Sequence, residues 1–90
     1  MTTEIIIPAF LQPFTSGVNL VNVNGETLRT CLEELTGLFP GLQEKIFIGN
    51  GKLHNGINLF VNGERADPAD LEKSVQDGDK IHIAYVTVGG

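Results

Sequence analysis

The chain is poor in cysteine and in basic residues: Cys31 stands alone, and six lysines and arginines face eleven acidic residues. A single thiol excludes an internal disulfide, and a chain with no disulfide framework suits a reducing compartment, so a cytoplasmic location is expected. A net charge of −5 excludes a nucleic-acid binder, which needs a basic footprint to release phosphate counterions. No apolar run approaches bilayer length. Ile5-Ile6-Ile7 is cut by Pro8, and Met1-Thr2-Thr3-Glu4 lacks the basic opening of a signal peptide. Neither nucleic acid nor membrane is therefore an expected partner. The acidic surface serves solubility or steers the chain toward a basic protein. Repeats, low-complexity tracts and linkers are also lacking. Ninety residues, 41% of them hydrophobic, are expected to form one domain, 1–90, around one modest core.

What is present is a set of clear element signals. Ile5–Ile7 and Val18–Val23 read as two strands paired as a hairpin, joined by a Pro-bounded segment and closed by Asn24-Gly25. Leu28, Cys31, Leu32, Leu35 and Phe39 recur at helical spacing, predicting a helix from about Thr27 to Thr36 with Gly37 in the left-handed position just past its end. Pro40 opens a one-turn helix through Glu44. Residues 49–56 read as a glycine-rich loop, Ile57–Val61 as a strand, and Asn62-Gly63 as a turn into a short return strand. Asp67-Pro68-Ala69-Asp70 has the form of a helix start. After the Asp77-Gly78-Asp79 turn, Ile81, Ile83 and Tyr85 alternate with His82, Ala84 and Val86 in a last strand. One amphipathic helix with strands on both sides of it in sequence is an α+β sandwich of helix on sheet.

Most chemical motifs fail on spacing. A phosphate loop needs a glycine five residues before its Gly-Lys and a Ser or Thr after it, but Ile46 and Leu53 stand there. Asp77-Gly78-Asp79 lacks the further oxygen ligands of a calcium loop. His54 and His82 have no partners at metal-ligand spacing. Glu33 and Glu34 do not face one another on a helix. Cys31 lies on the apolar stripe with nothing to activate it as a nucleophile. Catalytic residues and metal ligands are therefore both expected to be absent. Phe10, Leu11 and Phe14 either fold back onto the core or form an exposed partner patch.

The sequence closes on Val88-Gly89-Gly90. Two glycines make a thin, conformationally permissive thread that can enter a narrow channel. In such a channel the reactive group is a main-chain carboxylate, that of Gly90.

The opening strand, single helix, Phe60-Val61-Asn62-Gly63-Glu64, Asp77-Gly78-Asp79-Lys80-Ile81-His82-Ile83 and terminal Gly-Gly together resemble the ThiS/MoaD-type sulfur carriers. The resemblance implies a ubiquitin-like β-grasp fold, one main helix on a mixed four- to five-stranded sheet, with a flexible Gly-Gly tail. Ile7–Gly17 and Gly51-Lys52-Leu53-His54 resemble the branch that carries sulfur for cysteine biosynthesis, with molybdopterin and thiamine synthesis as the other destinations. The implied chain is not an enzyme and binds no cofactor. An E1-like enzyme adenylates Gly90 with ATP, and sulfur converts it to a thiocarboxylate. A sulfur-accepting, pyridoxal-phosphate-dependent synthase takes the sulfur, and a metallopeptidase frees the carrier. Val86, Thr87, Val88, Gly89 and Gly90 would form the tail in the partner channel, with Phe10, Leu11, Phe14 and Phe60 as docking positions. The tail departs from the family pattern in having no proline before the glycines and a stiff, β-branched Val88 directly ahead of them. Two other readings stay open: a ubiquitin-like modifier joined to lysines through Gly90, and a stable subunit with an inert tail.

Overall fold

The computed structural model describes residues 2–49, 51–67 and 70–85. Strand β1 (Thr3–Ile6) pairs antiparallel with β2 (Leu20–Val23), Ile5 opposite Val21. A 3-10 helix, Ala9–Phe14, occupies the connection between them. Helix α1 (Leu28–Leu38) follows, then a 3-10 turn at Pro40–Leu42 that runs into the single helical turn α2 (Gln43–Ile46). Strands β3 (Phe47–Ile48) and β4 (Lys52–Leu53) make a small hairpin. Strands β5 (Ile57–Val61), β6 (Glu64–Ala66) and β7 (Lys80–Tyr85) complete a five-stranded mixed sheet of order β2-β1-β7-β5-β6. The first and last strands are central neighbours and run parallel, Ile5 beside Ile81. Parallel neighbours need a long crossover, and α1 lies within it.

Period-2 alternation sends Ile5, Val21, Val23, Ile57, Leu59, Ile81 and Ile83 to one face of the sheet, where all are buried. Leu28, Cys31, Leu32 and Leu35 of α1 are fully buried in the same core. Each such Leu or Ile contributes about 1.5–3 kcal/mol relative to exposure. Thr27 caps α1 reciprocally: its Oγ1 accepts from the Thr30 N–H at 3.2 Å, and Thr30 Oγ1 accepts from the Thr27 N–H at 2.9 Å.

Three local expectations are corrected. Gly37 does not end α1 in a left-handed conformation; it lies inside a helix that continues to Leu38. The stop is set by Pro40, which disfavours helical backbone in the residue before it, and Phe39 accordingly sits at φ −130°, ψ 83°. The 49–56 segment is not wholly loop, because Lys52 and Leu53 turn back to pair with Ile48 and Phe47.

The third correction concerns the apparent helix start at Asp67–Asp70. Pro68 and Ala69 lie outside the described residues, and no helix follows from Asp70. Instead the chain turns so that the Leu71 and Lys73 carbonyls accept from the Arg29 and Leu28 N–H groups at 2.8 and 3.0 Å. These are first-turn donors that a helix cannot satisfy internally. Carbonyls engaged in a helix of their own could not face α1 in this way, and α1 takes them.

Candidate functional site

The tail candidates Val86, Thr87, Val88, Gly89 and Gly90 lie outside the described residues. What is described is the point from which they leave, Tyr85 at the end of β7. By strand alternation Tyr85 follows Ile81 and Ile83 on the helix side of the sheet, opposite Ile57 of β5, and is itself exposed. Its ring meets the edge of Phe10 with centroids 5.4 Å apart, and that of His54 at 5.7 Å. Gly56 backs the ring closely: a Cβ there would lie 2.5 Å from it. His54 Nδ1 accepts from the Gly56 N–H at 3.2 Å. Phe10, Glu44, Lys45, His54 and Tyr85 line a cavity of about 290 Å³.

The four docking candidates do not share one surface. Leu11 is fully buried, so it belongs to the core and not to a partner patch. The reason is the 3-10 geometry of Ala9–Phe14, which turns Leu11 inward while Phe10 and Phe14 stay 44% and 39% exposed. Phe14 carries the Lys45 ammonium 5.0 Å from its ring centroid. Phe60 is on the opposite face of the sheet. There the register aligns Leu20, Ile6, His82 and Phe60 side by side on β2, β1, β7 and β5. Leu20 and His82 are exposed, and Ile6 and Phe60 half-buried.

Cys31 is fully buried, its Sγ 3.5 Å from the Gly25 carbonyl. Burial, and then the Glu34 carboxylate, push its thiol above the ordinary value, the opposite of what a nucleophile needs. Among the described residues no group of three His, Cys, Asp or Glu side chains is placed to hold a metal. No helix there is long and apolar enough to cross a membrane.

The sequence model of the ThiS family matches residues 5–90. The chain belongs to the ThiS family. It is 31% identical over 93 residues, covering all of both chains, to the sulfur carrier protein CysO of Mycobacterium tuberculosis (strain ATCC 25618 / H37Rv). It is also 32% identical over 71 residues, 78% of each chain, to small archaeal modifier protein 1 of Haloferax volcanii. The fold superposes with a TM-score of 0.85, at 29% identity over 98% of this chain and 99% of the other, on a chain of the Amycolatopsis orientalis BexX/CysO complex. This ThiS-family chain is a small sulfur carrier with the ubiquitin-like β-grasp fold, and not an enzyme. Carriers of this kind work in complex with partner proteins.

Within that family frame, sequence reasoning overlooked Tyr85 and His54 as parts of a surface. Tyr85 reads as one more apolar position in an alternating strand, and His54 as a structural loop residue. The one available signal was Gly56, because a glycine at the edge of a strand can mark a close approach by something bulky.

Proposed function

We propose that the chain carries sulfur on the Gly90 carboxylate for cysteine biosynthesis. A carboxylate is a poor electrophile until a leaving group is attached. Its oxygen attacks the α-phosphorus of ATP in an E1-like partner, expelling pyrophosphate and leaving an acyl-adenylate. A sulfur nucleophile then displaces AMP to give the thiocarboxylate. On the family resemblance, the thiocarboxylate sulfur then displaces the leaving group of an activated serine derivative on a pyridoxal-phosphate-dependent synthase. That leaves the carrier joined to the new cysteine, and hydrolysis behind Gly90 by a metallopeptidase frees it. ATP is consumed by the partner, and the chain itself binds no cofactor. The folded body supplies remote binding energy that positions the reacting thread. The setting is cytoplasmic, in keeping with the lone thiol of Cys31.

The observation that carries this reading is the end-to-end match to a sulfur carrier, at 31% identity over the whole of both chains. Mass spectrometry of the C-terminal peptide from native cells tests it. Fragment ions should place sulfur in place of one oxygen on Gly90; oxidation of Met1 or Cys31 adds nearly the same mass, so intact mass does not suffice. A plain carboxylate, even with activating enzyme and sulfur source supplied, would rule the carrier out.

The similarity to small archaeal modifier protein 1 favours a second use of the same electrophile, attack by lysine amines. Gly90-linked lysine adducts in cell extract, without free thiocarboxylate, would support it.

A further inference from the structure

Three separate elements build the ring cluster at the root of the tail: the Ala9–Phe14 helix supplies Phe10, the segment after β4 supplies His54 and Gly56, and β7 supplies Tyr85. The rings are braced from behind and still wet in front, Phe10 being 44% and Tyr85 42% exposed. Two large apolar side chains in contact with one another and both half exposed make a contiguous apolar patch, unlike singly scattered exposed residues. Rigid aromatic groups also lose little entropy when a partner covers them.

We infer that the Phe10–Tyr85 ring platform seats the mouth of the channel in which the activating enzyme takes the tail. The inference rests on the reading of Gly90 as the activated residue. Five residues, Val86 to Gly90, separate Tyr85 from the reacting carboxylate. Fully extended they span at most about 17 Å. A partner that encloses Gly90 uses most of that length inside itself, so its rim lies against whatever surrounds Tyr85. An apolar side chain of the rim covers the two rings, while Lys45 and Glu44 at the edge of the cavity meet charges of opposite sign on the partner. Phe60 and its row lie on the other face of the sheet and are not part of this seat.

The test titrates the intact chain with the enzyme that activates it, first without ATP to read Kd, then with ATP and a sulfide source to read AMP release. Phe10→Ala should raise Kd and the KM for the carrier together by about tenfold or more, the range of interface hot spots, with kcat within about twofold. Tyr85→Ala should do the same and Tyr85→Phe should restore both values, since the platform needs the ring and not the hydroxyl. Phe60→Ala measures the opposite face separately. Kd and KM unchanged in a folded Phe10→Ala variant would overturn the platform while leaving activation at Gly90 standing. A chain that binds through the platform but releases no AMP would instead overturn the reading of Gly90. A wild-type chain that neither binds nor releases AMP overturns both. Self-association that depends on Phe10 in sedimentation, with enzyme binding unaffected, would assign the platform to a second copy of the chain and likewise overturn the inference.

Discussion

The side-chain amide of Asn62 donates to Asp79 Oδ1 at 2.9 Å, while its own oxygen accepts from the Lys80 backbone N–H at 3.0 Å. The Asn62 N–H in turn donates to the Lys80 carbonyl at 2.9 Å, and the second Asp79 oxygen accepts from the Gln76 N–H at 2.8 Å. The Val-Asn-Gly and Asp-Gly-Asp signals are thus one structural unit, locking the β5–β6 turn to the start of β7. Asn62 holds φ +52° there and Gly63 +88°, the left-handed pair of a tight hairpin turn.

Asn62→Ala loses both side-chain hydrogen bonds and must place an alanine in the left-handed region. It should cost about 2–5 kcal/mol, from roughly 0.5–1.5 per bond and 1–2 for the backbone. Asn62→Gly keeps the backbone at ease and should cost about 1–3 kcal/mol, from the two bonds alone. Denaturant midpoints of the two variants check this; equal losses would show that the turn backbone does not matter.

Asp79 is held below its ordinary value of 3.8, first by the Gln76 N–H and next by Asn62. A carboxylate with its folded pKa depressed stabilises the fold above the unfolded value and loses that contribution as pH falls through the folded one. Wild-type stability should therefore decline below about pH 3.8 more steeply than that of Asp79→Asn, with solvent exposure keeping the difference small. Parallel acid titrations of unfolding free energy that superpose would contradict the assignment.

Cys31 should resist alkylation at pH 8 in the folded chain and react readily in denaturant. Its thiol is fully buried and its ionisation is pushed upward, so thiolate is scarce and inaccessible. Because the folded pKa is raised, the associated stability is present at neutral pH and is lost as pH rises past about 9, where the unfolded thiol ionises first. Labelling followed by mass spectrometry reads the protection directly.

Gly56→Ala puts a Cβ 2.5 Å from the Tyr85 ring, so the ring must move. The expected cost is about 1–3 kcal/mol, as for other overpacked sites. The double variant Gly56→Ala/Tyr85→Leu should recover part of it, a coupling that only direct contact explains. Additive losses in thermal unfolding would place the clash elsewhere.

Deleting Gly90 should abolish sulfur loading and change unfolding free energy by less than about 0.5 kcal/mol. Among the described residues the last buried one is Ile83. A variant that fails to fold would show that the tail has a structural role instead.

The elements legible in the sequence are those whose cause is local. The α1 stripe, the alternation of β5 and β7, and the Asn62-Gly63 turn follow from 3.6- and 2-residue periods and from the steric freedom of one or two residues. Family membership was legible for the same reason, since its signature is a string of such signals in order. Leu11 was legible as apolar, but its separation from Phe10 and Phe14 depends on the pitch of a 3-10 helix that no periodicity announced.

By itself, then, the sequence determined the kind of each main element, the absence of a disulfide and the chemical character of the Gly89-Gly90 thread. Only the tertiary structure decided that residues 70–75 serve the first turn of α1 and do not form a helix, that Phe60 faces away from Phe10, and that Tyr85 stands exposed against Gly56. These outcomes turn on which distant donor meets which carbonyl and on which face of the sheet a ring is left uncovered. Such pairings are set by how elements far apart in sequence pack together, and no local pattern encodes them.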